Sequence, residues 1–115
     1  QTINLWHNYQ ISMLGFFDDF DLLICPVNAR TAHKHNEHED LNAYSYTSAY
    51  NLAGWPGAVV RVGQDEHNLP IGVQIIAAPF REDRCLAMAK WLETNLPSFA
   101  PPPIYAGRNK PLMKT

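Results

Sequence analysis

The sequence has 115 residues, 46% of them hydrophobic, with 9 Lys plus Arg against 11 Asp plus Glu and a formal charge of -2 at pH 7. That size suits one small domain with a modest core and not two. The balanced charge gives neither the basic footprint of a nucleic-acid binder nor an acidic tail, and no apolar run reaches the roughly 18 residues of a membrane span.

The chain opens on Gln1, with no initiator methionine and no basic-then-apolar leader, as in a fragment, a processed product or a trimmed chain. From residue 3 to residue 20, Ile3, Trp6, Met13, Phe17 and Phe20 recur roughly on one helical face, widened by Leu5, Tyr9 and Phe16. This spacing predicts a helix ending near Asp18 or Asp19. Gly15 costs it about 1 kcal/mol relative to alanine, so the helix needs tertiary support. Asp21-Leu22-Leu23-Ile24-Cys25-Pro26 then reads as a short buried strand stopped by a proline that cannot donate to a ladder.

Residues 28–40 form a polar connection with His33, His35 and His38 beside Glu37, Glu39 and Asp40. Three imidazoles and nearby carboxylates are the chemistry of a Zn²⁺ or Ni²⁺ site. No apolar residue in the segment enforces a ligand geometry and no cysteine is near, so it reads as a solvated loop and no metal ligand is assigned. Residues 41–52 are a predicted helix, with Asp40 or Asn42 as cap and Gly54-Trp55-Pro56 as its end. Leu41, Tyr44 and Ser48 fall on one face of it.

Two β-branched runs follow, 58–62 and 71–77, joined by the polar turn Gly63-Gln64-Asp65-Glu66-His67-Asn68. An antiparallel hairpin is the expected pairing. In the second run Val73, Ile75 and Ala77 alternate with Gly72, Gln74 and Ile76; both sets are mostly apolar, which predicts a strand inside a covered sheet. Arg61 lies mid-strand, where a permanent cation needs a partner or water. It reads either as an edge residue paired with a structural acid or as a clamp for a substrate carboxylate. Trp55 reads either as core or as a pocket wall.

A last helix begins at Arg81-Glu82-Asp83, whose acids suit the positive end of the helix dipole, and carries the apolar stripe Cys85, Met88, Ala89, Leu92 and Leu96 up to Pro97. It is expected to cover the sheet. Prolines at 101, 102, 103 and 111 make residues 101–115 an extended tail. Cys25 and Cys85 each sit in an apolar segment and read as buried, reduced thiols, from which a cytoplasmic setting follows.

Three pieces of this sequence, in this order and spacing, carry a resemblance: Asn51-Leu52-Ala53-Gly54-x-Pro56, Leu69-Pro70-Ile71-Gly72-Val73-Gln74, and Phe80-x-Glu82 ahead of an alanine-bearing helix. Over residues 20–96 the chain resembles the C-terminal part of the amidase signature family of amide hydrolases. It departs from the family's commonest pattern at Arg61, near which the family places a proline. The resemblance implies the C-terminal portion of a mixed-sheet α/β/α fold, with the strand ending at Pro26 leading toward the active-site side. Tyr46-Thr47-x-x-Tyr50-Asn51 is similar to fatty acid amide hydrolases, whose matching face lines the acyl channel, so Leu41, Tyr44 and Ser48 become implied pocket residues. The glutamyl-tRNA amidotransferases tend to carry aspartate where Tyr44 stands, and the chain is read as less like them.

The family mechanism uses a nucleophilic serine, a second serine joined by a cis peptide bond, and a lysine base, because a serine hydroxyl attacks an amide only when a base takes its proton. No glycine- and serine-rich loop of that kind occurs in the chain; the triad is expected upstream of Gln1. The reading is therefore of residues 1–100 as a C-terminal segment (helix, strand, helix, strand hairpin, helix) of a serine-dependent amide hydrolase. It supplies sheet and a substrate pocket of Leu41, Tyr44, Ser48, Trp55 and Arg61, is inactive alone, and needs no metal or organic cofactor. Its expected partners are a small-molecule amide and the N-terminal part of the amidase domain, with homo-oligomers allowed and no nucleic acid or membrane span. The alternative is a stand-alone α/β binding or interaction module.

Overall fold

The computed structural model describes residues 1–37 and 41–97, apart from the side chains of residues 41 and 42. The expected tail over 101–115 and the histidine-loop residues His38, Glu39 and Asp40 lie outside the described residues. Strand β3 (Pro70–Ile76) is the middle of a three-stranded sheet, with β1 (Leu23–Pro26) and β2 (Gly57–Gln64) antiparallel on either side. Leu23 lies opposite Ile76 and Pro26 opposite Val73, while β2 runs from Gly57 opposite Ile76 to Arg61 opposite Gly72. Past Arg61 the register shifts, so that Gly63 meets Ile71. Such a bulge adds local twist to the ladder.

The expected hairpin forms, and Asp65 closes it. Its carboxylate accepts the His67 N–H at 2.9 Å and the Leu69 N–H at 2.8 Å, and Asn68 takes the left-handed backbone (φ 63°) that its short polar side chain tolerates. The same carboxylate accepts the Thr31 hydroxyl at 2.9 Å, so the turn also holds the loop that leaves β1.

Because side chains alternate along a strand, β3 splits its residues between two cores. Ile75 joins Val60 and Ala89 under helix α3 (Glu82–Asn95), with Val73, Ala58, Val62, Met88 and Leu92 around them. Ile76 turns the other way and packs with Trp55 and Ala53, against Tyr9, Met13, Phe17, Leu23 and Tyr50, among them residues of the two helices α1 (Thr2–Leu14) and α2 (Ser45–Ala53). The result is an α/β arrangement, helices on both faces of a small sheet.

Two helices differ from their predicted extents. The first stays α-helical only to Leu14 and continues as a 3-10 turn over Gly15–Asp18. Glycine weakens an α-helix at that point, and the tighter turn carries the Phe17 ring against Trp55, 4.6 Å between centroids. The predicted helix over 41–52 is split in the same way, a 3-10 turn over Leu41–Tyr44 and then α2. Gly54 ends α2 in the left-handed conformation (φ 73°), with its N–H and that of Trp55 turned back onto the last helical turn.

The first helix does not bury a hydrophobic stripe as its spacing suggests. No residue of α1 is fully buried, and Ile3 and Leu5 are 66% and 70% exposed. It docks through half-buried Tyr9 and Met13 against the Trp55 core and through polar groups: the Trp6 indole N–H donates to Leu52 O at 2.7 Å, the Tyr9 hydroxyl to Ala49 O at 3.2 Å, and Gln10 Nε2 to Ala53 O at 3.2 Å. These carbonyls lie near the end of α2, where a helix runs out of partners of its own.

Ile75 is fully enclosed, whereas Val59, on the opposite face of the sheet, is 61% exposed. Ile75→Ala is expected to cost about 2–5 kcal/mol in urea unfolding, and Val59→Ala less than about 0.5 kcal/mol.

Candidate substrate face

The side of the sheet that carries α1 and α2 is only partly covered. Gly57, Val59 and Arg61 of β2 alternate onto it, beside Gly72, Gln74 and Ile76 of β3. Two glycines open it: a Cβ at Gly57 would come within 2.9 Å of Ile76 Cδ1, and one at Gly72 within 3.3 Å of Val59 Cγ1. Two cavities lie along this face and share Val59 as a wall.

The first, of about 440 Å³, lies between α2 and the sheet, and Tyr44, Thr47, Tyr50, Trp55 and Gln74 line it. Trp55 is almost buried; its ring lies near-parallel to Tyr50, 6.0 Å away, and meets Phe17 on the core side. Both readings of Trp55, core and pocket wall, therefore describe the same ring. The Tyr50 hydroxyl lies 3.6 Å from Cys25 Sγ, and its pKa is pushed up to about 12 by burial first and by Cys25 second. Tyr50 is thus a neutral hydroxyl throughout the physiological range. Gln74 is 5% exposed, and its Nε2 donates to Pro26 O at 2.9 Å and to Tyr46 O at 2.6 Å. One buried amide joins the end of β1 to the first turn of α2.

The second cavity, of about 540 Å³, lies where residues 27–33 arch over Val59, Arg61 and Gly72. Arg30, Thr31 and His33 reach it from the loop. Arg61 lines it too, and its Nη2 donates to Pro97 O at 2.9 Å, past the end of α3. Among the described residues neither cavity is lined by a serine or a lysine.

The structure therefore brings Tyr44, Trp55 and Arg61 onto one face of the sheet, Tyr44 and Trp55 in one cavity and Arg61 in the next. Ser48 is exposed and lines neither, because the 3-10 turn ahead of α2 takes Tyr44 off the α-helical spacing that pairs the two. The side chain of Leu41 is outside the described residues. Thr47, Tyr50, Gln74 and Arg30 line the cavities without having been assigned to the pocket from the sequence, although Thr47, Tyr50 and Gln74 stand in the segments that carry the family resemblance. Gln74 has a signal, a lone amide in an otherwise apolar strand with two covered faces.

Among the described residues no three His, Cys, Asp or Glu side chains come together as a metal site, and His33 and His35 are both exposed. Nor is any described helix long and apolar enough to cross a membrane. Cys25 and Cys85 are free thiols.

The sequence model of the Amidase family matches residues 2–86, and the chain belongs to that family. The match extends further toward the N-terminus than the resemblance over 20–96. The glutamyl-tRNA(Gln) amidotransferase A subunit of Halothermothrix orenii is 42% identical over 84 residues, which are 70% of this chain and 18% of that protein. Its counterpart in Campylobacter concisus is 41% identical over 80 residues, 66% of this chain and again 18% of the relative. Among solved structures, 6-aminohexanoate cyclic dimer hydrolase superposes with a TM-score of 0.71 at 29% identity, over 83% of this chain and 23% of the other. The Thermotoga maritima amidotransferase gives 0.72 at 30% identity, over 82% and 22%. The chain thus spans less than a quarter of the length of these relatives. The tyrosine at 44 concerns one position of the pocket, and the identity to the amidotransferases is spread over some 80 residues; the two observations are independent.

Gln74→Leu removes the donor for two carbonyls, and a loss of about 1–3 kcal/mol is expected in urea unfolding. Asp65 offers a pH test. Partial desolvation pushes its carboxyl up, but the Leu69 N–H, the Thr31 hydroxyl and the His67 N–H outweigh that and hold it below the ordinary 3.8. A lowered folded-state value contributes stability that is complete above the unfolded value and is lost as pH falls through the folded one. Asp65→Asn should therefore lower the melting temperature at pH 7, and the gap to the parent should close as pH drops below about 4.

Proposed function

We propose that this chain is the C-terminal part of a serine-dependent amide hydrolase, supplying sheet and one side of the substrate pocket while the serine, cis-serine and lysine come from outside these residues. The observation that carries this reading is the partly open, aromatic-walled sheet face in a chain of the Amidase family, lined by binding groups and, among the described residues, by no serine or lysine. A serine hydroxyl needs a neighbouring base before it attacks an amide, and without that pair the face binds and does not cleave.

Tyr44, Tyr50 and Trp55 offer three rings and hydroxyls at one end, which suits an amide whose acyl group is apolar or aromatic. The amidotransferase relatives carry the same framework, and the rings that line this end support the hydrolase reading. Two free thiols fit a reducing, cytoplasmic setting.

Exposed apolar side chains support a larger domain over a stand-alone module. Phe80, at the turn between β3 and α3, is 91% exposed and holds a positive φ of 63°, and Ile11 on α1 is 68% exposed. A group of such side chains is ordinarily covered by a partner surface.

The purified 115-residue chain is expected to show no turnover of aryl or acyl amides above the buffer rate, and to self-associate in size-exclusion chromatography. Steady hydrolysis that co-purifies with a monodisperse chain would overturn the proposal.

A further inference from the structure

We propose that Gln74 reads the N–H of a bound amide, its Oε1 serving as the acceptor that the cavity beside α2 presents to a primary or secondary amide. This rests on the reading of that sheet face as the substrate face, and adds the residue and the hydrogen bond by which an amide is told from an ester.

Gln74 stands in the middle of the sheet, opposite Cys25 of β1 and Val59 of β2. It is 5% exposed and lines the cavity of about 440 Å³. Chemistry fixes which way its amide group is turned. Pro26 O and Tyr46 O are carbonyls, which accept and never donate, so the atom 2.9 Å from the first and 2.6 Å from the second is the nitrogen. Both N–H bonds of Nε2 are used there, and the oxygen takes the remaining direction.

No group among the described residues donates to that oxygen. Nor does any side-chain nitrogen or oxygen among them lie sealed from solvent without a hydrogen-bond partner. Both statements hold for Gln74 Oε1 only if it is reached from outside, and the cavity that Gln74 lines supplies the path. Its donor then comes from what enters the cavity.

The surroundings suit an amide in that role. Trp55, Val59 and Ile76 line the same cavity, so an N–H placed among them loses water and needs an acceptor. A methyl ester has the shape of an N-methyl amide but sets an oxygen where the amide has its N–H, and its lone pairs would face those of Oε1. A site that bonds a ligand hydrogen rejects the analogue that lacks it, because the buried partner is left unmet. The bonds to Pro26 O and Tyr46 O also hold the Gln74 side chain before a ligand arrives, so little of its freedom is lost on binding.

The test uses the ¹⁵N-labelled 115-residue chain, titrated with N-methylphenylacetamide and with methyl phenylacetate, which share a shape and carry no charge. Backbone amide shifts and the side-chain NH₂ signals of Gln74 are the readouts. Both probes are expected to shift residues 44–55. The amide should bind about tenfold more tightly and should alone move the Gln74 NH₂ signals, because a bond accepted at Oε1 draws electron density from Nε2. N,N-dimethylphenylacetamide, an amide with no N–H, should follow the ester. Gln74→Met, close in length and without the oxygen, should bring the first two affinities together; where that variant unfolds, the three probes on the parent chain decide. Equal affinity of amide and ester, a preference that extends to N,N-dimethylphenylacetamide, or one that survives Gln74→Met overturns the role of Gln74 while the substrate-face reading stands. If no probe shifts this face, both readings fall.

Discussion

Strand β3 imposes the constraint on which the other elements depend. It is paired on both edges and packed on both faces, on one of them only in part, so each of its residues must suit one of two cores or the partly open surface. A shift of one residue would exchange Val73 and Ile75 with Gln74 and Ile76, moving a buried amide under α3 and a branched aliphatic chain onto the partly open face. The register is protected by that asymmetry. The apolar side is closed by α3, whose buried Cys85 and Ala89 let it approach the sheet closely. On the other side the same strand presents one glycine, one amide and one isoleucine in sequence, and this is the side that stays partly open.

Openness on that face is produced by what is missing and is stabilised by what is hydrogen-bonded. Gly57 and Gly72 withhold the side chains that would fill it, with neighbours close enough that even a methyl group would crowd them. Gln74 and Asp65 then fix its boundaries. The first ties α2 to the end of β1, and the second ties the loop after β1 to the hairpin. Each uses a polar side chain to hold backbone or hydroxyl groups of segments that lack regular partners, a use for which hydrophobic packing has no directional substitute. The rims of the two cavities are therefore positioned by hydrogen bonds, and their floor by the sheet.

The strands, the hairpin and the covering helix were legible in the sequence because their signals are local: β-branched runs, a polar turn and a 3.6-residue stripe ahead of Pro97. What α1 does was not. Trp6 and Tyr9 count as apolar in a periodicity, yet their indole N–H and hydroxyl serve as donors to α2, 40 or more residues away in the chain. No pattern within one helix reveals which carbonyls of another need donors. For the site, Trp55 and Arg61 were singled out by residue type and position, and Tyr44 by the helical face it shares with Leu41 and Ser48 together with the family resemblance; strand alternation places Arg61 on the same side as Gln74. Ser48 was selected by an α-helical spacing that the 3-10 turn at Leu41–Tyr44 interrupts. Arg30 sits in a loop with no periodicity, and its position follows from the Thr31 to Asp65 bond, a contact across 34 residues.

A shared framework does not by itself choose a substrate. A cyclic dimer hydrolase and a tRNA-dependent amidotransferase superpose on this chain almost equally well, so the backbone is not what separates their chemistry. What differs between such proteins on this part of the fold is then carried by side chains, here those that the strands and the flanking loop present to the two cavities. Along β2 such positions recur at every second residue, and β3 adds a second row beside them. Changing Val59 or Arg61 alters the cavities while leaving Val60 and Ile75 in the opposite core, because alternate residues of one strand answer to different neighbours. The separation of the two faces lets the binding surface vary with little cost to the core that supports it.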